Sequence, residues 1–219
     1  MSKRKVDFEV GEFYHIYNRG NSKQKIFHDK EDHERFVSLL FLAAGKNNFD
    51  YFNLSRGGVW RDFERGSVYV DIGVYCLMPN HFHILITQPD NGSISKFMQK
   101  LTTAYAMYYN KKYERNGSLF QGKFKAEHID NDRYLKYLFS YIHLNPVKLL
   151  EPKWKELGIK NKKKAIDFLK NYEFSSIKDY LGQDRDKSII LNKKAFPDYF
   201  STSKTFSSEI FNWITFKPK

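Results

Sequence analysis

A chain of 219 residues, 41% of them hydrophobic, can fill one good core with a small appendage but not two large domains. Its 37 Lys and Arg against 25 Asp and Glu leave a net charge of +12, which favours polyanionic partners through phosphate contacts and counterion release. The lone Cys76 excludes an intramolecular disulfide, MSKRKVDFEV lacks an apolar signal core, and no apolar run nears the ~20 residues of a membrane span, so a soluble, cytoplasmic, nucleoid-associated protein is expected. The 15 Tyr and 20 Phe, interleaved with Lys and Arg, suit base stacking beside phosphate neutralisation, although most Phe are expected in the core.

In chain order, Phe13 to Asn18 read as a short β-branched and aromatic strand, stopped by the polar turn Asn18-Arg19-Gly20-Asn21. Asp29 or Asp32 then caps a helix whose stripe is Phe36, Leu39, Leu40 and Ala43, closed by Gly45. Residues 46–67 lack a clear period and carry Gly57, Gly58, Gly66 and several arginines; they read as an exposed insertion whose basic side chains could reach a substrate. Val68 to Leu77 and His81 to Thr87 form a predicted hairpin of buried strands about the turn Met78-Pro79-Asn80. Ser93 starts a long helix with Ile94, Phe97, Met98, Leu101, Tyr105, Tyr108 and Tyr109 at helical spacing, ending at Asn116-Gly117. Lys123 to Ile129 alternates as a half-exposed strand, and Asp130 or Asn131 caps a further helix that Pro146 should terminate.

The order β-α-β-β-α-β-α predicts an α+β fold, a ferredoxin-like or RRM-like βαββαβ core with a four-stranded antiparallel sheet, two helices on one face and an additional helix. A catalytic-sized domain over 1–150 is expected, followed by a helical and irregular extension over 151–219, lysine-rich at first and then a loosely patterned aromatic tail.

On a strand, His81 and His83 project to the same face with Cα atoms about 6.5–7 Å apart, and two imidazoles so placed can share one cation. An isolated His-x-His is more often accidental, but this pair follows a Pro-Asn turn and opens an apolar strand, where a rigid ligand pair is useful. In Tyr134-Leu135-Lys136-Tyr137-Leu138-Phe139-Ser140-Tyr141-Ile142-His143-Leu144-Asn145-Pro146, Tyr141 and Asn145 lie one turn apart on one helical face, so one helix could carry a nucleophile and a ligand. Most tyrosines in amphipathic helices simply pack, and periodicity does not choose Tyr141 over Tyr134 or Tyr137.

Three segments together, Met78-Pro79-Asn80-His81-Phe82-His83, Leu119-Phe120-Gln121-Gly122-Lys123-Phe124-Lys125 and Tyr141-Ile142-His143-Leu144-Asn145-Pro146-Val147, resemble the HUH single-tyrosine transposases of bacterial insertion sequences, closest to the REP-associated tyrosine transposase branch. The resemblance spans roughly 14–150, and three motifs in order are far more specific than one. It implies an RRM-like core that cuts single-stranded or hairpin DNA with a Mg2+- or Mn2+-type cofactor. His81 and His83 match the metal-binding pair, and Tyr141 matches the attacking tyrosine, which would leave a 5′-phosphotyrosine and a free 3′-OH. Where relatives often place Gln one turn after the tyrosine, this chain has Asn145, one methylene shorter. Because Pro146 disfavours helical geometry at Asn145, the amide either reaches the metal or caps the helix end, and the ligand reading is preferred. Arg19, Gln121, Lys123, Lys125 and Arg115 are the expected DNA contacts, with a solvated basic face the simpler reading of Lys111 and Lys112. Phe124, opposite Lys123 and Lys125, is expected in the core. Some relatives lend the tyrosine helix across a homodimer, and this helix decides neither cis nor trans.

Two other readings stand beside the enzyme. One is a non-catalytic RRM-like module that binds single-stranded nucleic acid; against it, no inner strand carries a Gly-Phe-x-Phe-Val run. The other is a degenerate relative that binds DNA without cutting it.

Overall fold

The structure is a computed structural model that describes residues 6–51, 53–54 and 59–215; Gly57 and Gly58 of the insertion and the start of the basic N-terminus lie outside them. Strands β1 (Phe13–Arg19), β2 (Asp71–Met78), β3 (His81–Thr87) and β4 (Lys125–Ile129) pair antiparallel in the order β2-β3-β1-β4. Alternation along the strands divides their side chains between two unlike layers. Tyr14, Ile16, Phe82, Ile84 and Ile86 face the helices α1 (Lys30–Ala44) and α2 (Ser93–Lys112) and complete the main core with Phe36, Leu40, Phe97 and Tyr105. On the opposite face, Val74, Cys76, Met78 and Leu85 meet Leu135, Leu138, Phe139 and Ile142 of α3 (Asp132–Leu144). This is the α+β, ferredoxin-like arrangement that the order of elements predicts.

Local chemistry fixes the ends of these helices. Asp29 accepts the Asp32 N–H and Asp32 accepts in return, a reciprocal cap on α1, while Gly45 follows its last residue. Asn131 caps α3 by accepting the Tyr134 N–H at 2.8 Å. Four boundaries differ from expectation. Strand β2 starts at Asp71 and takes in Met78, so the hairpin turn is Pro79-Asn80 alone. Helix α2 ends at Lys112, because Glu114 turns into the left-handed region at φ 49° and Arg115 N–H folds back to Asn110 O. Strand β4 starts at Lys125, leaving Lys123 outside the sheet and exposed. Helix α3 ends at Leu144, just before Pro146 as expected, but the chain keeps helical geometry: residues Asn145–Leu149 continue as a 3-10 turn, with Asn145 at φ −52°, ψ −39°. The steric bias of the proline is outweighed by burying Leu144 and Val147 in a third apolar cluster.

That third cluster is built with the C-terminal segment. Helices α4 (Trp154–Leu157), α5 (Lys162–Asn171), α6 (Ile177–Tyr180) and α7 (Ser203–Thr215) pack Ile159, Leu169, Ile177, Phe206 and Ile210 against the end of α3. The same segment covers the open edge of β2, with Leu77 N–H donating to Phe174 O, Ser176 N–H to Tyr75 O and Asn192 N–H to Ile72 O. A Cβ on Gly73 would lie 2.8 Å from the Phe196 ring, so a glycine is what lets the tail approach the sheet. The aromatic tail is therefore part of the core, its rings spaced for loops and short turns.

The insertion lies on the α1 and α2 side. Trp60 packs on Phe41, the Arg65 guanidinium lies 4.3 Å over the same ring, and Lys46 and Arg61 pair with Asp90 and Asp186. Its described basic side chains serve packing and ion pairs, not the face that carries His81 and His83. No helix among the described residues is long and apolar enough to cross a membrane.

Candidate active site

The face of the sheet turned away from α1 and α2 gathers the polar residues of β1, β3 and β4. The register sets His83 beside Tyr17 and Tyr17 beside Lys125; one step along, His81 pairs with Arg19 and His15 with Glu127. Helix α3 lays Tyr141 over this face, its ring centroid 6.1 Å from that of His83 and 6.3 Å from that of His15. The phenol and both histidines thus converge within one chain.

Three backbone segments brace this end of the sheet. Pro79 O in the hairpin turn accepts Ile26 and Phe27 N–H, Asn80 O accepts Gly20 N–H, and the Gln121 N–H donates to Arg19 O. A Cβ on Gly20 would meet Gln24 O at 2.3 Å, so only glycine allows the strap after β1 to close here. The Leu119–Gly122 motif and the Met78–His81 turn are thereby tied to the same strap, which carries Lys23 and Lys25.

The two histidines are held neutral. Burial, reinforced by Lys148, Arg19 and Lys155, brings His81 down to about 4. His83, 8% exposed, is lowered well below the ordinary imidazole value, first by burial and then by neighbouring His15 and His81. Asn80 uses its Nδ2 on Lys23 O, which turns its Oδ1 toward His81 Nδ1 at 2.6 Å; that nitrogen donates, leaving His81 Nε2 with the lone pair. The His81 and His83 ring centroids are 5.1 Å apart with the planes at 87°.

Behind His83 runs a polar chain. His83 Nδ1 is 2.9 Å from His15 Nε2, and His15 Nδ1 lies 3.6 Å from Glu127 Oε2, a distance for electrostatic contact rather than a hydrogen bond. Glu127 accepts from Tyr17 at 2.8 Å and Tyr134 at 3.3 Å. Its carboxyl is held at about 2 by the His15 imidazole, with the tyrosine hydroxyls adding to that effect and burial opposing it. A carboxylate against His15 Nδ1 favours the proton there, so His15 Nε2 accepts from His83 Nδ1 and His83 Nε2 keeps its lone pair. Both ligand-type histidines can then present a neutral nitrogen.

Among the described residues no group of three or more His, Cys, Asp and Glu could hold a metal ion. His81 and His83 suit a cation only with oxygen donors added, from an amide, a phosphate or water. Asn145 lines the same cleft, and its Nδ2 donates to Tyr141 O at 2.9 Å, capping the helix end and leaving Oδ1 as the remaining donor atom.

The cleft encloses about 910 Å³, and its described lining includes Arg19, Lys23, Lys25, Lys125, Lys148 and Lys155 but no Asp or Glu. Such a one-signed depression focuses potential on a polyanion. Lys155 Nζ donates to the Tyr141 hydroxyl at 3.0 Å and stands 4.1 Å over its ring. Of the DNA contacts expected from sequence, Arg19, Gln121 and Lys125 line the cleft, with Arg19 Nε donating to Gln121 Oε1. Two do not: Lys123 is exposed away from it, and Arg115 packs over the Tyr109 ring at 5.5 Å at the end of α2. Lys112 is engaged by Asp29, Glu31 and Asp32, while Phe124 packs on the main core as expected. His143, inside the third motif, is fully buried between Phe139 O and Ser176 Oγ and belongs to the core.

Sequence reasoning passed over His15, Tyr17, Glu127, Lys148 and Lys155. His15 and Tyr17 share the alternation of Arg19 on β1, a legible signal once β1 and β3 are paired. Lys148 and Lys155 follow α3 in two short helical turns, too brief for a period to mark them.

Residues 66–145, which include His81, His83, Tyr141 and Asn145, match the family model described as transposase, IS200 like. No curated protein matches the chain. Among solved structures, a REP-associated tyrosine transposase bound to a REP hairpin is similar in fold, 14% identical with a TM-score of 0.53, over 84% of this chain and 87% of that one. A putative transposase from Deinococcus radiodurans R1 is 13% identical over 65% of this chain and 95% of its own, with a TM-score of 0.37, too low to bear on the fold.

Proposed function

We propose that this chain is an IS200-like transposase, the family whose model matches residues 66–145, and that it cuts and rejoins single-stranded DNA through a 5′-phosphotyrosine on Tyr141. The observation that carries the reading is the placement of the Tyr141 ring 6.1 Å from His83 in the same chain, over a cleft of six cations without a carboxylate. In the forward step the Tyr141 oxygen bonds to phosphorus, the P–O3′ bond breaks, and the 3′-oxygen leaves as a hydroxyl after gaining a proton. In the reverse step a 3′-hydroxyl displaces the tyrosine, so the ester conserves the energy needed for rejoining.

Each residue has a physical part. Arg19, Lys23, Lys25 and Lys125 hold the backbone phosphates, and Gln121 orients Arg19. The Lys155 ammonium stabilises charge on the phenolic oxygen as it attacks or leaves. Glu127 and His15 hold His83 in one tautomer, and Asn80 does the same for His81. A divalent cation of the Mg2+ or Mn2+ kind, held by His81, His83 and the Asn145 Oδ1, would supply charge to the non-bridging phosphate oxygens. The nitrogen-rich donor set favours Mn2+ of the two. The likeness in fold to a REP-associated tyrosine transposase bound to a REP hairpin supports a hairpin-bearing DNA as substrate. The proximity within one chain supports a site assembled in cis, whether or not two copies associate.

The test is covalent capture with hairpin-bearing single-stranded oligonucleotides and Mg2+ or Mn2+. Wild type should give an adduct that survives SDS, and Tyr141→Phe should give none. An undiminished adduct in the variant would move the nucleophile to Tyr134 or Tyr137. DNA binding with no adduct on any substrate would favour a binding module using the same cleft.

A further inference from the structure

Behind Tyr141 the protein has a second, smaller recess of about 170 Å³. Tyr137, Trp154, Trp213, Leu144 and Ile159 wall it, and Lys155 is the one charged side chain among its described lining. Tyr137 stacks on Tyr141 with centroids 5.6 Å apart and meets Trp213 edge-on at 5.1 Å, so three aromatic rings stand around one opening. The indole Nε1 of Trp154 is buried, so the recess meets this side chain through its ring.

Tyr141 and Lys155 belong to the walls of both this recess and the basic cleft. A strand whose phosphate reaches the Tyr141 hydroxyl therefore borders the recess. Resting on the reading of the cleft as a single-strand channel, we propose that the recess receives one unstacked nucleobase next to the phosphate that Tyr141 attacks. The base rests against Tyr137 and the tryptophans. A base suits the site because its flat face matches the aromatic walls and acceptors at its edge suit the Lys155 ammonium in the lining. Holding that base fixes the sugar-phosphate link beside it, which turns a flexible strand into one with a set attack angle.

Two of the three tryptophans line the recess, and the third, Trp60, packs against Phe41 in the insertion, so a Trp60→Phe background makes fluorescence a reporter of the recess. The probes are oligothymidylate of about 15 nucleotides, matched to single-strand site sizes, and an abasic deoxyribose-phosphate oligomer of the same length. Oligothymidylate should quench the tryptophans and bind roughly 5- to 150-fold more tightly than the abasic strand, the range of one base stacked on aromatic side chains. Tyr137→Ala should remove most of that difference while leaving the abasic affinity unchanged, and Trp154→Ala, which removes one aromatic wall, should lose part of it. Equal quenching and affinity for the two probes, or equal losses for both in Tyr137→Ala, would overturn the proposal while the cleft reading stands. Failure of both probes to bind would remove the single-strand reading and the recess with it.

Discussion

Lys155 reaches the Tyr141 hydroxyl from outside all three motifs. Its ammonium donates to that hydroxyl at 3.0 Å and covers the ring, so in the proposed reaction it would oppose the charge that gathers on the phenolic oxygen in either direction. Replacement by alanine should slow formation of the covalent adduct roughly 100-fold at saturating DNA, the usual effect of removing one preorganised donor. The dissociation constant should change only by the share of one phosphate contact. A time course of SDS-resistant adduct with Lys155→Ala checks this, and an unchanged rate would reduce Lys155 to packing. The proposed nucleophile is legible in the sequence only through its motif, because Tyr134, Tyr137 and Tyr141 share one helical face and the pattern treats them alike. What distinguishes Tyr141 is tertiary: of the three, it is the one that lines the cleft with His81 and His83. His15 and Glu127 were hidden for a related reason, since their contact depends on strand pairing across more than 100 residues.

At the scale of elements, α3 has two faces with different duties. One presents Tyr141, while the other buries His143, which bonds Phe139 O at 2.8 Å and Ser176 Oγ at 2.8 Å and joins the helix to the C-terminal segment. Burial, with some help from Lys193 and Arg185, lowers His143 to about 3 against a partial rise from its bond to Phe139. In the unfolded chain it titrates near 6.5, so below that pH the unfolded state binds a proton that the fold refuses. Stability from this group is therefore whole above pH 6.5 and is lost as pH falls toward 3, at about 1.4 kcal/mol per pH unit. His143→Gln should flatten the dependence of urea-unfolding free energy on pH by about that slope between pH 6 and pH 4. The depressed His81, His83 and His33 should keep the remainder. An unaltered slope in the variant would show that His143 is protonated in the fold. The boundaries of α3 illustrate what sequence can and cannot supply. Asn131 at its start is a local cap and legible, whereas the 3-10 continuation past its end depends on Leu144 and Val147 finding partners later in the chain, from Ile159 to Ile214.

For the whole molecule, a charge of +12 says that a polyanion is favoured but not where. The fold sorts its cations into two populations. Lys112, Arg185 and Lys187 are engaged by Asp29, Glu31 and Asp32, by Asp179, and by Glu34, whereas Arg19, Lys23, Lys25, Lys125, Lys148 and Lys155 line one cleft without a carboxylate among them. The strand order that puts β1 between β3 and β4 achieves this, since it brings Arg19 and Lys125 beside the histidines of β3. Composition is blind to that division, because an ion-paired lysine and a cleft lysine count alike. Counterion release is not blind to it. On single strands, log K falls with log salt by about 0.7 for each phosphate neutralised, so six cleft cations should give a slope near −4. Lys125→Ala should make the slope shallower by about 0.7, while Lys112→Ala, whose ammonium is already committed to three carboxylates, should leave it unchanged. Fluorescence titrations of a single-stranded oligonucleotide across 50–300 mM salt measure both. Equal losses of slope would mean that DNA follows the general basic surface, and the cleft would then lose its claim to be the channel that delivers a phosphate to Tyr141.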